Sequence, residues 1–156
     1  MSVDNSTDFD FNDAVFDVTY TTGAPKMTVV LRAAGGTIPL YVAGKEVHQL
    51  FKDANPDAGV IVPDGDVKGT MINTSAAGGL NDLTCPSFEI DVMNPVDIPI
   101  TVNKDGAIIQ LKAVTGEPAA KIAVDPSFVW CTERSDIQKV YPNFSQYVQN
   151  EAAVWF

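Results

Sequence analysis

Short runs in which apolar and polar residues alternate strictly, set apart by clusters of Gly, Pro, Asn and Asp, limit this chain more than any other feature. Such runs form half-buried strands joined by tight turns. In residues 15–21, Phe16, Val18 and Tyr20 alternate with Asp17, Thr19 and Thr21, giving one apolar and one polar face at the period of a strand. Met27, Val29, Leu31 and Ala33 repeat the pattern. Between them lies Thr22-Gly23-Ala24-Pro25. A loop of that length sets Tyr20 opposite Met27, Val18 opposite Val29 and Phe16 opposite Leu31, with all six side chains facing inward. The same register brings Asp17 and Arg32 to diagonal positions on the outer face, within reach of a weak exposed ion pair.

Further strands are expected at residues 38–42, 87–93, 98–102, 108–114 and 120–124, with Phe88, Ile90 and Val92 facing in. Pro99 cannot donate to a ladder, which places its strand at a sheet edge or beside a bulge. After Gly44, residues 46–52 read as a short helix with Val47, Leu50 and Phe51 on one face. Near the end, Ile137, Val140, Tyr141, Phe144 and Val148 form one helical stripe, with Ser135 as the candidate cap. Pro142 interrupts the stripe and predicts two short helices, the second with Pro142 in its first turn. Residues 55–83, rich in Gly, Asp and Pro, read as long loops with one short strand near Met71. Six to eight short strands require two packed sheets. The expected fold is mainly β: a two-sheet β-sandwich with one or two short helices, including a C-terminal helical segment.

At 156 residues the chain fits one domain spanning residues 1–156. Forty-six per cent hydrophobic and 19% charged residues are too apolar a mixture for intrinsic disorder, and the apolar runs fall far short of a membrane span. A net charge of −10 repels phosphate backbones and anionic lipid heads, which disfavours nucleic acid and direct membrane insertion. Cys85 and Cys131 leave two states open. Paired, they close a loop of about 45 residues worth roughly 4 kcal/mol in the chain-entropy description; unpaired, they are two free thiols. There is no CxxC, and His48 is the one histidine, so a zinc site of the usual kind has no ligand set. The Asn-x-Ser/Thr triplets at Asn5, Asn73 and Asn143 matter only in a glycosylating host.

The most pointed chemistry lies at Asp8-Phe9-Asp10-Phe11-Asn12-Asp13, just ahead of the first strand and in a stretch with no Lys or Arg before Lys26. Calcium takes six to eight oxygens, and side chains at alternate positions of an irregular loop can converge on one point. Asp8, Asp10 and Asn12 have the spacing of the first three EF-hand ligands. The match then ends, because Asp13 stands where a Gly is needed and Thr19 where a bidentate Glu is needed. The plainer alternative is a set of Asx turns launching the strand, with solvated charges. Three carboxylates within six residues repel one another unless a cation lies between them. The expectation is Ca2+ held by Asp8, Asp10, Asn12 and Asp13.

From Asp8 through Val18 the chain resembles the opening of the LruC-type domain, a domain of unknown function in bacterial exported and outer-membrane proteins. Three later segments resemble that family in order: Leu31 through Val42 with Gly44-Lys45-Glu46-Val47-His48; Asp97-Ile98-Pro99-Ile100; and Phe128-Val129-Trp130 through Glu133-Arg134 to Tyr141-Pro142-Asn143-Phe144. Cys131 departs from the pattern, standing where a proline follows the Trp, so any bridge to Cys85 would be peculiar to this sequence. The resemblance implies a place at the cell envelope and attachment to a larger exported protein, and it implies no reaction. Residues 1–12 carry no basic start or apolar stretch. That fits either a cytoplasmic chain or a mature exported segment, and the resemblance favours the second.

Catalytic groups are scarce. With one His and no glycine-flanked serine, a Ser-His-Asp triad has no signature, and neither cysteine lies in a nucleophile motif. Glu89 and Asp91 share one outward strand face and read as solvated charges. His48 reads as a surface or half-buried structural residue, and Gly35-Gly36 and Gly78-Gly79 as turns. Trp130, Trp155, Phe156, Tyr141 and Tyr147 offer either an aromatic platform or a core under the C-terminal stripe, and the core is favoured for Trp130, Tyr141 and Phe144. The expected function is a noncatalytic envelope module, structural or adhesive, whose partner is a surface glycan or protein. The alternative is an envelope carbohydrate-active enzyme using an Asp/Glu pair.

Overall fold

A computed structural model of the chain describes residues 10–112, 120–150 and 154–156. Its strands form two antiparallel sheets. The first has the order β1-β2-β5, from β1 (Val15–Tyr20), β2 (Lys26–Ala33) and β5 (Ser87–Asp91). The second has the order β4-β3-β6-β7, from β3 (Leu40–Val42), β4 (Lys45–Glu46), β6 (Ile100–Lys104) and β7 (Ala107–Gln110). Helix α1 (Val47–Ala54) follows β4, while α2 (Ile137–Val140) and α3 (Phe144–Gln149) lie near the C-terminus.

The first hairpin has the register that its alternation requires: Phe16 pairs with Leu31, Val18 with Val29 and Tyr20 with Met27. Met27, Val29, Leu31 and Ala33 are all buried. Tyr20 is not inward as expected; it is 54% exposed, because it ends an edge strand beyond the reach of the second sheet. Asp17 and Arg32 form the diagonal pair at 2.6 Å. The register shifts between Val15 and Phe16, leaving Arg32 as the extra residue of a bulge that turns the chain where the acidic loop joins the sheet. From the second sheet Leu40, Val42, Ile100 and Val102 join Met27, Val29 and Leu31 in one apolar core, closed by Val47 and Phe51 of α1. Each such side chain, fully buried, contributes about 1.5–3 kcal/mol.

Several expectations are corrected. Pro99 does not mark an edge: the strand begins after it at Ile100, so β6 keeps its donors and sits inside the sheet, while the Pro99 carbonyl accepts from the Ala43 N–H. Val92 lies beyond β5 and is exposed. No strand forms at residues 120–124, and the segment near Met71 contributes only isolated bridges, Ile72 to Ala34 and Ile72 to Leu80. Residues 113 and 114, expected at the end of a strand, lie outside the described residues. His48 is fully buried; its Nδ1–H donates to Glu46 Oε1 at 2.8 Å, and Glu46 Oε2 caps α1 by accepting from the Gln49 N–H. The C-terminal stripe does split into two helices, but the cap of α2 is Asp136 rather than Ser135, and Pro142 stands between the helices, ahead of α3.

Cys131, Ile137, Phe144 and Trp155 form a second, separate core. Trp155 sits at its centre, with the rings of Phe128, Tyr141, Phe144, Tyr147 and Phe156 within 5.5 Å between centroids. Burying these aromatics supplies a large apolar area to helices too short to stand alone. Trp130 is only half-buried, so the core expected for it is incomplete. Both cysteines are free thiols. Among the described residues no helix is long and apolar enough to cross a membrane.

Candidate functional site

The acidic loop lies where the two cores meet. Gly35 N–H donates to the carbonyls of Asn12 and Asp13, and Gly36 N–H to that of Asp13, which pins the loop against the end of β2. On its other side Asp10 is 3% exposed, and its Oδ2 accepts from the Arg134 N–H at 2.7 Å. Asn12 is 1% exposed and donates from Nδ2 to the Cys131 carbonyl at 3.3 Å. That carbonyl fixes the amide orientation and leaves Asn12 Oδ1 as an acceptor buried against Gly35. A third segment closes the group: the Thr74 carbonyl accepts from the Glu133 N–H at 3.0 Å.

The backbone is bent to make this possible. Phe11, between Asp10 and Asn12, has φ +54°, and Arg134, which donates to Asp10, has φ +62°. The left-handed region costs a non-glycine residue roughly 1–2 kcal/mol, so both turns persist only because their neighbours hold them. The Phe11 ring meets Phe144 edge-on at 6.0 Å. Gly35 is the complementary concession. A β-carbon there would lie 2.5 Å from Asn12 Oδ1 and 3.1 Å from Thr74 Cγ2, so both side chains press on the space that glycine leaves open.

Asn12 Oδ1 and Thr74 Oγ1 are buried in this group without a hydrogen-bond partner among the described residues. Leaving a buried acceptor unsatisfied costs about 1–3 kcal/mol. An oxygen-seeking cation beside a buried carboxylate answers both defects, so the donor set fits calcium in kind. Among the described residues no three His, Cys, Asp or Glu side chains converge, so any such site is a mixed one, with amide, hydroxyl and backbone oxygens beside the carboxylate.

Of the expected ligands, Asp10 and Asn12 are brought together against residues 131–134. Asp13 is turned elsewhere, with Oδ1 near Gly36, and it lines a small cleft of about 60 Å³ with Phe11, Leu40, Leu111 and Lys121. Among the described residues Asp13 is the one carboxylate on that cleft's lining. Asp8 lies outside the described residues. Thr74 was not foreseen from the sequence, and its triplet carried only a glycosylation signal. Asn73 is instead structural, donating to the Arg32 carbonyl and accepting from the Leu83 N–H. Cys131 shows the local field: burial first, then the charges of Asp10 and Asp136, push its thiol up to about 11.

Comparison with family models, with curated proteins and with solved structures found no match for this chain.

Proposed function

We propose that this chain is a noncatalytic module of the bacterial cell envelope, of the LruC type that its segments resemble, in which a calcium ion rigidifies the acidic loop. The family assignment is supported by those residue segments alone. The observation that carries the calcium reading is the burial of Asp10 and Asn12 with two oxygens, Asn12 Oδ1 and Thr74 Oγ1, that lack hydrogen-bond partners among the described residues. On this reading Asp10 and Asn12 are ligands, while Asp13, turned towards Gly36, adds negative charge nearby without joining them. The ion supplies fixed positive charge where the loop concentrates negative charge. The role is structural or adhesive, with a surface glycan or protein as partner and the domain carried by a larger exported protein. Val129, Val140 and Phe156, exposed beside the aromatic core, are suited to such a contact.

Extracellular calcium modules bind at roughly 0.1–1 mM, so 10 mM calcium stabilises the folded state by about 1.4–2.7 kcal/mol through mass action. For a chain of this length that is a rise of roughly 3–10 °C in melting temperature. Melting followed by circular dichroism in 10 mM calcium and in EDTA measures the rise, and Asp10→Asn is expected to erase it. Coincident wild-type curves would overturn the reading.

A further inference from the structure

We infer that the Thr74 hydroxyl is a ligand of the same cation, so that the ion ties three distant parts of the chain rather than rigidifying one loop; this inference rests on the calcium reading. Thr74 is 2% exposed, and its Oγ1 has no hydrogen-bond partner among the described residues. A buried threonine whose hydroxyl bonds nothing is worse than a valine of the same shape, because it bears the desolvation cost of the oxygen with no return. The hydroxyl becomes an asset only when a partner reaches it, and a cation is one that its lone pairs can bind.

The neighbours of Thr74 indicate which ligand that is. Its methyl group and Asn12 Oδ1 both abut the open face of Gly35, at 3.1 and 2.5 Å from one point, so the two side chains share one small space. The Thr74 carbonyl is bonded to Glu133, the residue before the one whose N–H holds Asp10. Thus the side chains of Asn12 and Thr74 meet at Gly35, and the backbone of residues 133–134 links Thr74 to Asp10, which gathers the three residues in one neighbourhood. A neutral hydroxyl, a neutral amide oxygen and a carboxylate, all buried, are the hard oxygen donors that calcium accepts.

The consequence is a reversal of sign on one substitution. Thr74→Val removes the orphan hydroxyl and keeps the shape, so in EDTA the variant is expected to be as stable as the wild type or more so. In calcium it is expected to lose affinity by about tenfold or more, since even outer-shell partners of metal ligands are worth that much. Thr74→Ser keeps the oxygen and is expected to retain calcium affinity. The assay is a calcium titration of melting temperature on the full chain, paired with terbium luminescence sensitised by the aromatic cluster as a direct reading of occupancy. If Thr74→Val binds calcium as the wild type does while Asp10→Asn does not, the calcium reading stands and Thr74 is no ligand. If the wild type shows neither a calcium-dependent shift nor terbium luminescence, both fall. Should Thr74→Val fail to fold in EDTA, the hydroxyl serves the apo structure and the inference is overturned.

Discussion

Gly35→Ala is the sharpest structural test of how the acidic loop is seated. The backbone at Gly35 is not in the left-handed region, so alanine meets no torsional objection there, and the loss of chain entropy in the unfolded state would favour the variant by about 0.4–1 kcal/mol. Against this, the new methyl would sit 2.5 Å from Asn12 Oδ1 and 3.0 Å from the Asn12 carbonyl, where ordinary contact begins at 3.4 Å. Something must move by roughly 1 Å, and overpacking of this kind costs about 1–3 kcal/mol. Asn12 cannot swing aside cheaply, because its amide is tied to the Cys131 carbonyl and its exposure is 1%. Breaking that tie costs about 1 kcal/mol more. The net expectation is a destabilisation of about 1–3 kcal/mol, or roughly 3–10 °C in melting temperature. Gly36→Ala is the control: its nearest neighbour lies at 3.4 Å, an ordinary contact, and it should be close to neutral. Urea unfolding of the two variants side by side measures the difference. A Gly35→Ala protein at least as stable as Gly36→Ala would refute the seating of Asn12 against Gly35.

Two further outcomes follow from the same structure. Because the folded chain holds the Cys131 proton up to about pH 11 while an unfolded thiol releases it near 9, the folded state binds more protons between these values. Stability is therefore full below pH 9 and falls as the pH rises towards 11, by on the order of 2–3 kcal/mol. Urea midpoints of the wild type and Cys131→Ala across pH 8–11 should converge as the pH rises, and a constant gap would refute the burial of the thiol. Asp17→Asn should cost under about 1 kcal/mol, since the pair with Arg32 leaves both side chains about 40% exposed and screened by solvent; a loss above roughly 2 kcal/mol in the same urea assay would mean that the pair is a structural anchor.

The first hairpin was legible because two independent constraints agree on it. Period-two alternation chooses the buried face, and loop length chooses the register, so Phe16, Val18, Val29 and Leu31 have one consistent arrangement. Pro99 misled because the rule against proline in a ladder was applied to a strand that in fact starts one residue later. His48 misled for a different reason. Helical spacing assigned the inner face to Val47, Leu50 and Phe51, whereas α1 is rotated so that Val47, His48 and Phe51 are buried, and Glu46 makes this tolerable by accepting from the imidazole. Residues 55–83 resisted reading because side-chain bonds hold them without any period. Asn55 bonds the Phe51 and Thr84 carbonyls and the Thr84 N–H; Asn81 accepts from the Ser75 N–H. Composition predicts that such loops exist, and only the folded chain shows where each amide points.

The site divides along the same line. Spacing alone marked Asp10 and Asn12, because alternate oxygens in a short acidic run are a local pattern. The contacts that give those residues their environment are separated from them by 119 and 124 residues, and no local pattern can carry such information. What the long-range contacts add is a reason for the acidic run to lie where it does. Phe11 faces the C-terminal aromatic core through Phe144, Asn12 holds the Cys131 carbonyl, and Asp10 holds the Arg134 N–H, while Gly35 and Thr74 stand next to the bridge between Ala34 and Ile72 of the main core. The loop is thus a polar joint between two apolar bodies, and its charges are buried by the closure of that joint. Among the described residues Asn12 Oδ1 and Thr74 Oγ1 are left without a hydrogen-bond partner when the joint closes, and the proposed cation would give both oxygens one. The docking of the C-terminal core onto the sandwich should therefore depend on calcium more strongly than the unfolding of the sandwich itself. Tryptophan fluorescence, which reads Trp130 and Trp155, should accordingly respond to EDTA at temperatures where the β-sheet circular dichroism is still unchanged.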